Sequence, residues 1–368
     1  MKEMRSGALA ATYVGCFLGA GYVSGQELWQ FFGAFGNWGY LGFLVAAVLF
    51  VLFGILLVRL TQLCGSAEMD RVLIPWDIPW MRRLTGAIAA LFLLGVVVIM
   101  TAGVAALLQQ LFQVPVWLGA AVFTLIVALA AMAGVTGMVR AFSALVPVLV
   151  GAALCFAVAA YGKYGTGGIF SLTPSNTNPL MPNWFTASLT YVAYNMLGAI
   201  GIMTPVALLV RRRRSVYGGI ALAGGMLFGV AFGVISALAV YPQAAQAQLP
   251  MVALAATLHP LLGVGYGVLL LLSMFCNALA SLVALATYLE QKHPVLQTRR
   301  KLLPAVMAPL IWGGSLVGFG DLIGVVFPVF GYVSIILLIL MVVHLIRCKR
   351  AVHSVKTEPA VAGDAVNV

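Results

Sequence analysis

The residue types that could bind a polar ligand in this sequence are few, and they lie in two glycine-containing stretches. The first runs from Gly15 to Glu27, has glycine at four of its thirteen positions and ends in an acidic side chain. The second is residues 195–201, which begins with Asn195 and contains two glycines. Each glycine weakens a helix by about 1 kcal/mol relative to alanine and allows non-helical backbone. Both stretches are therefore candidates for a helix break that exposes backbone polar groups beside a carboxyl or amide side chain.

The elements that must position these stretches follow from the composition. The chain has 368 residues, of which 63% are hydrophobic and 8% are charged. Soluble domains carry about 25% charged residues, so a soluble globular protein is excluded. A membrane-spanning helix needs about 20 residues, so the apolar residues suffice for roughly ten spans. The sequence predicts an all-α polytopic membrane protein.

Ten predicted spans account for the net charge of +11. With the N-terminus inside, 19 of the 20 basic residues fall on cytoplasmic segments and only Lys163 falls outside. This is the positive-inside rule, so the charge indicates topology, with both termini cytoplasmic, and no nucleic-acid partner. The spans are predicted at about residues 7–34, 39–60, 84–111, 115–134, 138–162, 184–210, 216–241, 261–289, 302–318 and 322–346.

The two glycine-containing stretches lie in spans 1 and 6, each of which opens a block of five spans. The predicted organisation is a first repeat at 1–162, an extracellular loop at 163–183, an inverted second repeat at 184–346 and a disordered cytoplasmic tail at 347–368. Interrupted helices at corresponding positions of two inverted halves are typical of the binding site of a secondary transporter. The alternative is that these glycines only permit close helix packing.

Glu27 is the only acidic residue predicted to lie clearly inside a span. Placing a charged side chain at membrane depth costs about 2.5–3.5 kcal/mol, which makes it a functional candidate. It could be a protonatable coupling site, a ligand for a cationic substrate group, or a hydrogen-bonded vestibule residue. The alternative is a glutamate at the outer end of span 1 that water reaches.

Three further side chains belong to the predicted substrate site. Asn195 could contact substrate or cation through its amide, or it could cap the broken helix. Tyr194 beside it, and Tyr22 in span 1, could close over a ligand or could serve only in packing. The neighbouring residues of the two breaks complete the prediction for substrate binding: Gly19, Ala20, Gly21, Gly198 and Ala199.

The run Gly19-Ala20-Gly21-Tyr22-Val23-Ser24-Gly25-Gln26-Glu27, followed by Phe31-Phe32, resembles the signature of the YkvI-like bacterial membrane proteins. The Tyr194-Asn195 step with Pro205 downstream is similar to the same family. The resemblance implies the amino acid–polyamine–organocation superfamily and the LeuT-type fold of 5+5 inverted repeats with broken helices 1 and 6. It also implies that spans 1, 2, 6 and 7 move against spans 3, 4, 8 and 9.

The resemblance further implies how the break would bind ligands. The carbonyls of Gly15 and Leu18 would face a cation, and the amides of Ala20 and Gly21 would face a substrate carboxylate. Sodium-coupled carriers of this fold would place hydroxyl ligands on span 8, where this sequence has Ser273, Cys276 and Asn277. A thiol is a poor sodium ligand, so the choice between sodium and a proton stays open.

We expect a secondary transporter in the bacterial inner (plasma) membrane that moves an amino acid or related zwitterion in symport with sodium or protons. A channel and a non-transporting sensor that retains the fold are the alternatives. No nucleophile–base pair is predicted at membrane depth, so an enzyme is not expected. The spacing of the five cysteines matches no metal motif. Small solute and membrane lipid are the expected partners, no cofactor is expected, and the oligomeric state is left open.

Overall fold

The structure, a computed structural model, describes residues 5–66, 68–76, 78–133, 138–210, 212–292 and 302–357. These residues are almost entirely helical. A π-helical turn at Trp29–Gly33 continues α3, and a 3₁₀ turn occupies Pro242–Gln246. The helices are α1 (Ser6–Phe17), α2 (Ala20–Ser24), α3 (Gln26–Leu28), α4 (Trp38–Cys64), α5 (Met69–Leu73), α6 (Pro79–Phe112), α7 (Val116–Ala133), α8 (Met138–Tyr164), α9 (Trp184–Ala207), α10 (Arg213–Val240), α11 (Pro250–Leu258), α12 (Pro260–Lys292), α13 (Leu303–Ser315) and α14 (Phe319–Thr357).

Seven helices within the described residues are long and apolar enough to cross a membrane. They are α4, α6, α8, α9, α10, α12 and α14, and each coincides with a predicted span. Three shorter apolar helices, α1, α7 and α13, lie where spans 1, 4 and 9 are predicted. The polytopic all-helical class is confirmed, whereas the count of ten spans stays a prediction.

The predicted break in span 1 is confirmed. Helix α1 ends at Phe17, and α2 begins at Ala20 after an extended Gly19 with φ −82° and ψ −170°. A second irregularity follows at Gly25, whose φ of +85° is left-handed. Span 1 is therefore built from short helical pieces, and its helical hydrogen-bond pattern is interrupted at Gly19, whose N–H donates to the Phe17 carbonyl.

The predicted break in span 6 is wrong. Helix α9 runs without interruption from Trp184 to Ala207. Its glycines serve close packing instead: a Cβ on Gly198 would lie 3.0 Å from Phe92 Cε1, and one on Gly201 would lie 2.9 Å from Met69 Sδ. Small residues that let neighbouring helices approach need no helix break.

The predicted start of the disordered tail at residue 347 is also corrected. Helix α14 continues to Thr357, and residues 358–368 lie outside the described part of the chain. Between Tyr332 and Thr357 the sequence has no glycine or proline to stop the helix, and Pro359 follows. The basic residues near its C-terminal end also suit the helix dipole.

Helices α6 and α9 form the centre of the bundle. Buried residues make up 72% of the most apolar segment of α6 and 78% of that of α9, against 39% for α4 and for α14. The main packing partners of α9 are α14 and α4, while α6 packs on α12 and α1 on α10. The break between α1 and α2 contacts this central group through α6, α9 and α12.

We predict that Gly25→Ala destabilises the protein by at least 1–2 kcal/mol, the approximate cost of a left-handed alanine. The new Cβ would also lie 3.1 Å from side-chain carbons of Leu238 and Val234. Gly229→Ala in α10 is the control, because a Cβ there meets nothing within 4 Å. Thermal unfolding of both variants in detergent tests this, and equal midpoints would contradict the assigned backbone.

Candidate functional site

A small cavity lies at the break between α1 and α2, where this segment faces α6, α9 and α12. Its volume is about 30 Å³. A cavity of this size holds one or two water molecules, or a desolvated cation, and is far smaller than a pocket for an organic ligand. Its walls combine polar groups from the break with apolar side chains from the bundle: Cys16, Phe17, Gly19, Glu27, Phe92, Val96, Met100, Tyr194, Asn195, Gly198, Ile202, Asn277, Ser281 and Phe327.

Glu27 supplies the carboxyl group of this cavity. Its side chain is 4% exposed, and the Tyr194 hydroxyl donates a hydrogen bond to Oε1. Gly21 lies directly against the other oxygen, because a Cβ added to Gly21 would overlap Oε2. None of the partners found for Glu27 among the described residues is a lysine, arginine or histidine. While Glu27 is enclosed by the bundle, its charge must therefore be removed by a bound proton or balanced by a bound cation.

Two further polar groups of α9 face the same carboxyl group. Tyr191 and Asn195 lie beside Glu27, one turn apart on the helix. The Asn195 side chain donates to the Tyr191 carbonyl at 2.9 Å, which fixes the orientation of its amide. The Tyr191 hydroxyl is buried and faces Glu27 without reaching full hydrogen-bond geometry within the described structure. A ligand oxygen or a water at this position would satisfy it.

Aromatic rings cover the Glu27–Tyr194 pair. The Tyr194 ring stacks on Phe327 with centroids 4.3 Å apart, and it contacts Phe31 and Phe92 at 5.6 Å and 6.2 Å. Phe31 also packs against Tyr191 at 5.2 Å. This layer encloses the carboxyl group on the bundle side, so displacement of these rings is one way in which the cavity could enlarge.

The predicted cation ligands are brought together only in part. The Ser273 hydroxyl of α12 donates to the Leu18 carbonyl at the break. One turn further along, the Asn277 amide donates to the Cys16 carbonyl at 3.5 Å. Gly15 is buried within the last turns of α1, and Cys276 is a half-buried residue at the edge of the core. Leu18, Ser273 and Asn277 thus converge on the break.

Several predicted substrate residues do not line the cavity. The Tyr22 hydroxyl donates to the Leu227 carbonyl of α10 at 2.6 Å, which favours packing over closure on a ligand. Ala199 is fully buried and does not line the cavity, although its neighbour Gly198 does. Ala20 and Gly21 form the first residues of α2, and their predicted contact with a carboxylate stays a prediction.

Cys16 and Tyr191 lie at the site but are not among the residues predicted from the sequence. Cys16 lines the cavity beside Gly19, and Tyr191 stands three residues before Tyr194 on the same face of α9. The helical i, i+3, i+4 spacing of Tyr191, Tyr194 and Asn195 was the available signal for the second tyrosine. The lining residues of α6 carry no polar group, so their position follows only from packing.

A larger cavity of about 590 Å³ lies at one end of the bundle. Its walls include Gln26, Gln30, Gln248 and Asp321, together with the backbone and side chains of residues 175–181. Gln26 belongs to this cavity while its neighbour Glu27 belongs to the central one. The two cavities are therefore separated by the thickness of the α3 segment.

The loop at 165–183 forms one wall of this outer cavity through direct contacts with the span 1–2 connection and the first turn of α4. The Ser175 amide donates to the Ala34 carbonyl at 2.8 Å, and the Tyr40 hydroxyl donates to the Ile169 carbonyl at 2.5 Å. The Asn178 side chain donates to the Gly324 carbonyl of α14 at 2.8 Å. The loop thus connects the end of α4 to α14 above the site.

The chain is similar in sequence to two Bacillus subtilis (strain 168) proteins. It is 24% identical to YyaD over 344 residues, which cover 91% of this chain and 96% of YyaD. It is 24% identical to the membrane protein YkvI over 356 residues, which cover 95% of this chain and 98% of YkvI. No protein-family model matches the chain.

Solved transporter structures share the fold. MhsT, solved with L-phenylalanine, superposes with a TM-score of 0.67 at 15% identity, covering 92% of this chain and 89% of MhsT. A Na⁺-coupled sialic acid symporter superposes with a TM-score of 0.69 at 13% identity, covering 92% of this chain and 78% of the symporter. Mhp1 in its inward-facing conformation superposes with a TM-score of 0.61 at 16% identity, covering 90% of this chain and 75% of Mhp1. The comparisons confirm the resemblance to YkvI-like membrane proteins with a LeuT-type fold.

Proposed function

We propose that this protein is a secondary transporter of a small organic solute with a positively charged amino group, such as an amino acid or a related zwitterion. The observation that carries the proposal is a buried carboxyl group, Glu27, in a small cavity beside a helix break. A buried carboxyl group with no cationic side-chain partner among the described residues suits a site that receives its cation from solution.

The helix contacts support two inverted repeats of five spans. In this arrangement α1–α3, α4, α6, α7 and α8 correspond to α9, α10, α12, α13 and α14. A two-fold axis would then exchange contact pairs, and the observed pairs are compatible with such an axis: α1 packs on α10 as α9 packs on α4. Likewise α1 packs on α8 as α9 packs on α14, and α7 packs on α12 as α13 packs on α6.

The position of Glu27 bears on the orientation of the substrate. A substrate carboxylate at the amides of Ala20 and Gly21 would lie near Glu27 Oε2, which is already against Gly21. Two like charges about 4 Å apart repel by about 4 kcal/mol at an effective dielectric of 20. We therefore place the amino group of the substrate, or a coupling cation, between the two carboxylates.

The contacts at the break support a cation site formed by the Leu18 carbonyl and the Ser273 hydroxyl. These two oxygens are already hydrogen-bonded to each other. Both could turn lone pairs towards a sodium ion, which prefers oxygen ligands, and the side-chain carbonyl of Asn277 is available nearby. Proton coupling through Glu27 is the alternative. Sodium coupling predicts that a Ser273 variant changes the sodium dependence, whereas proton coupling predicts that a Glu27 variant changes the pH dependence.

The sizes of the two cavities support alternating access. The outer cavity is large enough for a small solute, whereas the central cavity must enlarge before an amino acid can enter. By the positive-inside rule the outer cavity faces the cell exterior and both termini face the cytoplasm, in the inner membrane. A channel would need a continuous path, and a sensor would bind solute without flux.

We predict that Glu27→Gln abolishes concentrative uptake, because the neutral amide keeps the shape but not the charge that attracts an amino group. Purified protein in liposomes, given sodium and proton gradients and a panel of amino acids and amines, measures this. Solutes for the panel come from thermal-shift screening, since a bound ligand raises the unfolding midpoint.

Glu68→Gln is the matched control for this variant, because Glu68 pairs with Arg71 at a partly exposed position outside the cavity. Transport by Glu68→Gln should equal that of the unmodified protein. If neither counterflow nor gradient-driven uptake occurs for any solute that stabilises the protein, the transporter proposal fails and a sensor is favoured. Ion currents far above carrier turnover would favour a channel.

We predict that Ser273→Ala raises the sodium concentration required for half-maximal uptake at least tenfold, since it removes one oxygen ligand. Thr101→Ala is the control, because the Thr101 hydroxyl donates within its own helix to Val97 at 2.8 Å. Unchanged sodium dependence of uptake in Ser273→Ala would assign coupling to protons instead, provided that Glu27→Gln also removes the pH dependence of solute-induced thermal stabilisation.

A further inference from the structure

A second cluster of ligating side chains lies far from the central cavity. It consists of Cys64, the last residue of α4, and of His344 and Cys348, one turn apart on α14. Their sulfur and nitrogen atoms all lie within 4.8 Å of one another. His344 is about 30 Å along α14 from Gly324 at the outer cavity, so the cluster occupies the opposite end of the bundle.

The His344 ring is held in a defined orientation. Its Nδ1 lies 2.9 Å from the Val72 carbonyl of α5, and its Nε2 lies 3.7 Å from Cys64 Sγ. A carbonyl only accepts hydrogen bonds, so Nδ1 carries the proton and Nε2 of the neutral ring presents a lone pair to the Cys64 thiol. Metal-ligating histidines are oriented by this kind of hydrogen bond from the other ring nitrogen.

The separation of the ligand atoms matches a tetrahedral zinc site. With Zn–S of about 2.3 Å and Zn–N of about 2.0–2.1 Å, two tetrahedral ligands lie roughly 3.6 Å apart. The distance from Cys64 Sγ to His344 Nε2 is 3.7 Å. Cys348 can complete the three-ligand set with a side-chain adjustment of about 1 Å, since no pair of ligand atoms exceeds 4.8 Å.

Charge balance restricts how a metal could bind. The guanidinium groups of Arg82 and Arg347 lie near His344, so an uncompensated cation would be repelled. Zinc binding displaces one proton from each cysteine, and both protons pass to solvent. The resulting Zn²⁺ with two thiolates and a neutral imidazole has no net charge. A hard cation with oxygen preference would gain nothing from these ligands.

We propose that Cys64, His344 and Cys348 form a binding site for Zn²⁺ or another thiophilic divalent metal ion, with the fourth position left to water. This site is distinct from the proposed solute and sodium sites. The metal would connect α4 to α14 directly and, through His344 and Val72, to α5. Its occupancy would restrain the motion of α4 relative to α14 at this end of the bundle.

Sequence spacing does not reveal this cluster. His344 and Cys348 are separated by one helical turn, but Cys64 lies 280 residues before His344. Zinc motifs are identified in sequence by pairs of ligands separated by a few residues on both sides of the site. Only the packing of the last turn of α4 against α14 completes the set.

The test uses the full-length, reduced protein in detergent, titrated with Co²⁺ as a spectroscopic probe and then with Zn²⁺. We expect one Co²⁺ per chain, with thiolate charge-transfer absorption and tetrahedral d–d bands that Zn²⁺ displaces. Zn²⁺ should also raise the thermal unfolding midpoint. No substrate or gradient is involved, so this result is independent of the transport proposal.

Cys64→Ser, His344→Ala and Cys348→Ser should each weaken metal binding at least tenfold. Cys155→Ser is the matched control, because Cys155 is an exposed cysteine on α8, and it should leave binding unchanged. If His344→Ala unfolds, His344→Gln provides a second variant that lacks the imidazole. Absence of charge-transfer absorption, equal loss in Cys155→Ser, or a Cys64–Cys348 disulfide that persists under reducing conditions would overturn the proposal.

Discussion

The unwound backbone between Phe17 and Ala20 is the constraint on which the rest of the structure depends. Polar backbone groups that leave a helix inside a membrane must find partners in the protein, because lipid offers none. In this molecule α12 provides them: Ser273 donates to the Leu18 carbonyl and Asn277 to the Cys16 carbonyl. Asn277 also lines the cavity, and Ser273 lies one turn away from it on α12. The same side chains of α12 therefore satisfy the free carbonyls at the break and supply polar groups to the site.

The second polar element is the buried Glu27, whose polar neighbours include three side chains of helix α9. Tyr194 donates to it, Tyr191 and Asn195 lie beside it, and the aromatic layer excludes water from this side. Glu27 is the one acidic side chain in the buried class among the described residues, so the requirement for a cation or proton is strong at a single place. Gradient coupling and selection of an amino-bearing solute would both follow from this requirement.

The two polar clusters illustrate different limits of prediction from sequence. Glu27 and the glycine break are neighbours in the chain, so composition and spacing indicated them directly. The contribution of α12 was anticipated through a resemblance, and two of its three proposed residues, Ser273 and Asn277, reach the break. The cluster of Cys64, His344 and Cys348 combines residues from distant elements and gave no signal in the sequence.

The sequence by itself determined the class of protein, the approximate positions of the helices and the break in the first of them, because hydrophobicity, charge and glycine content act locally. The continuity of α9 was decided by tertiary structure. A glycine in a helix permits either unwinding or close approach of a neighbour, and Phe92 and Met69 occupy the space beside Gly198 and Gly201. Which of two locally permitted conformations is adopted depends on the packing partners, and these are set by the whole bundle.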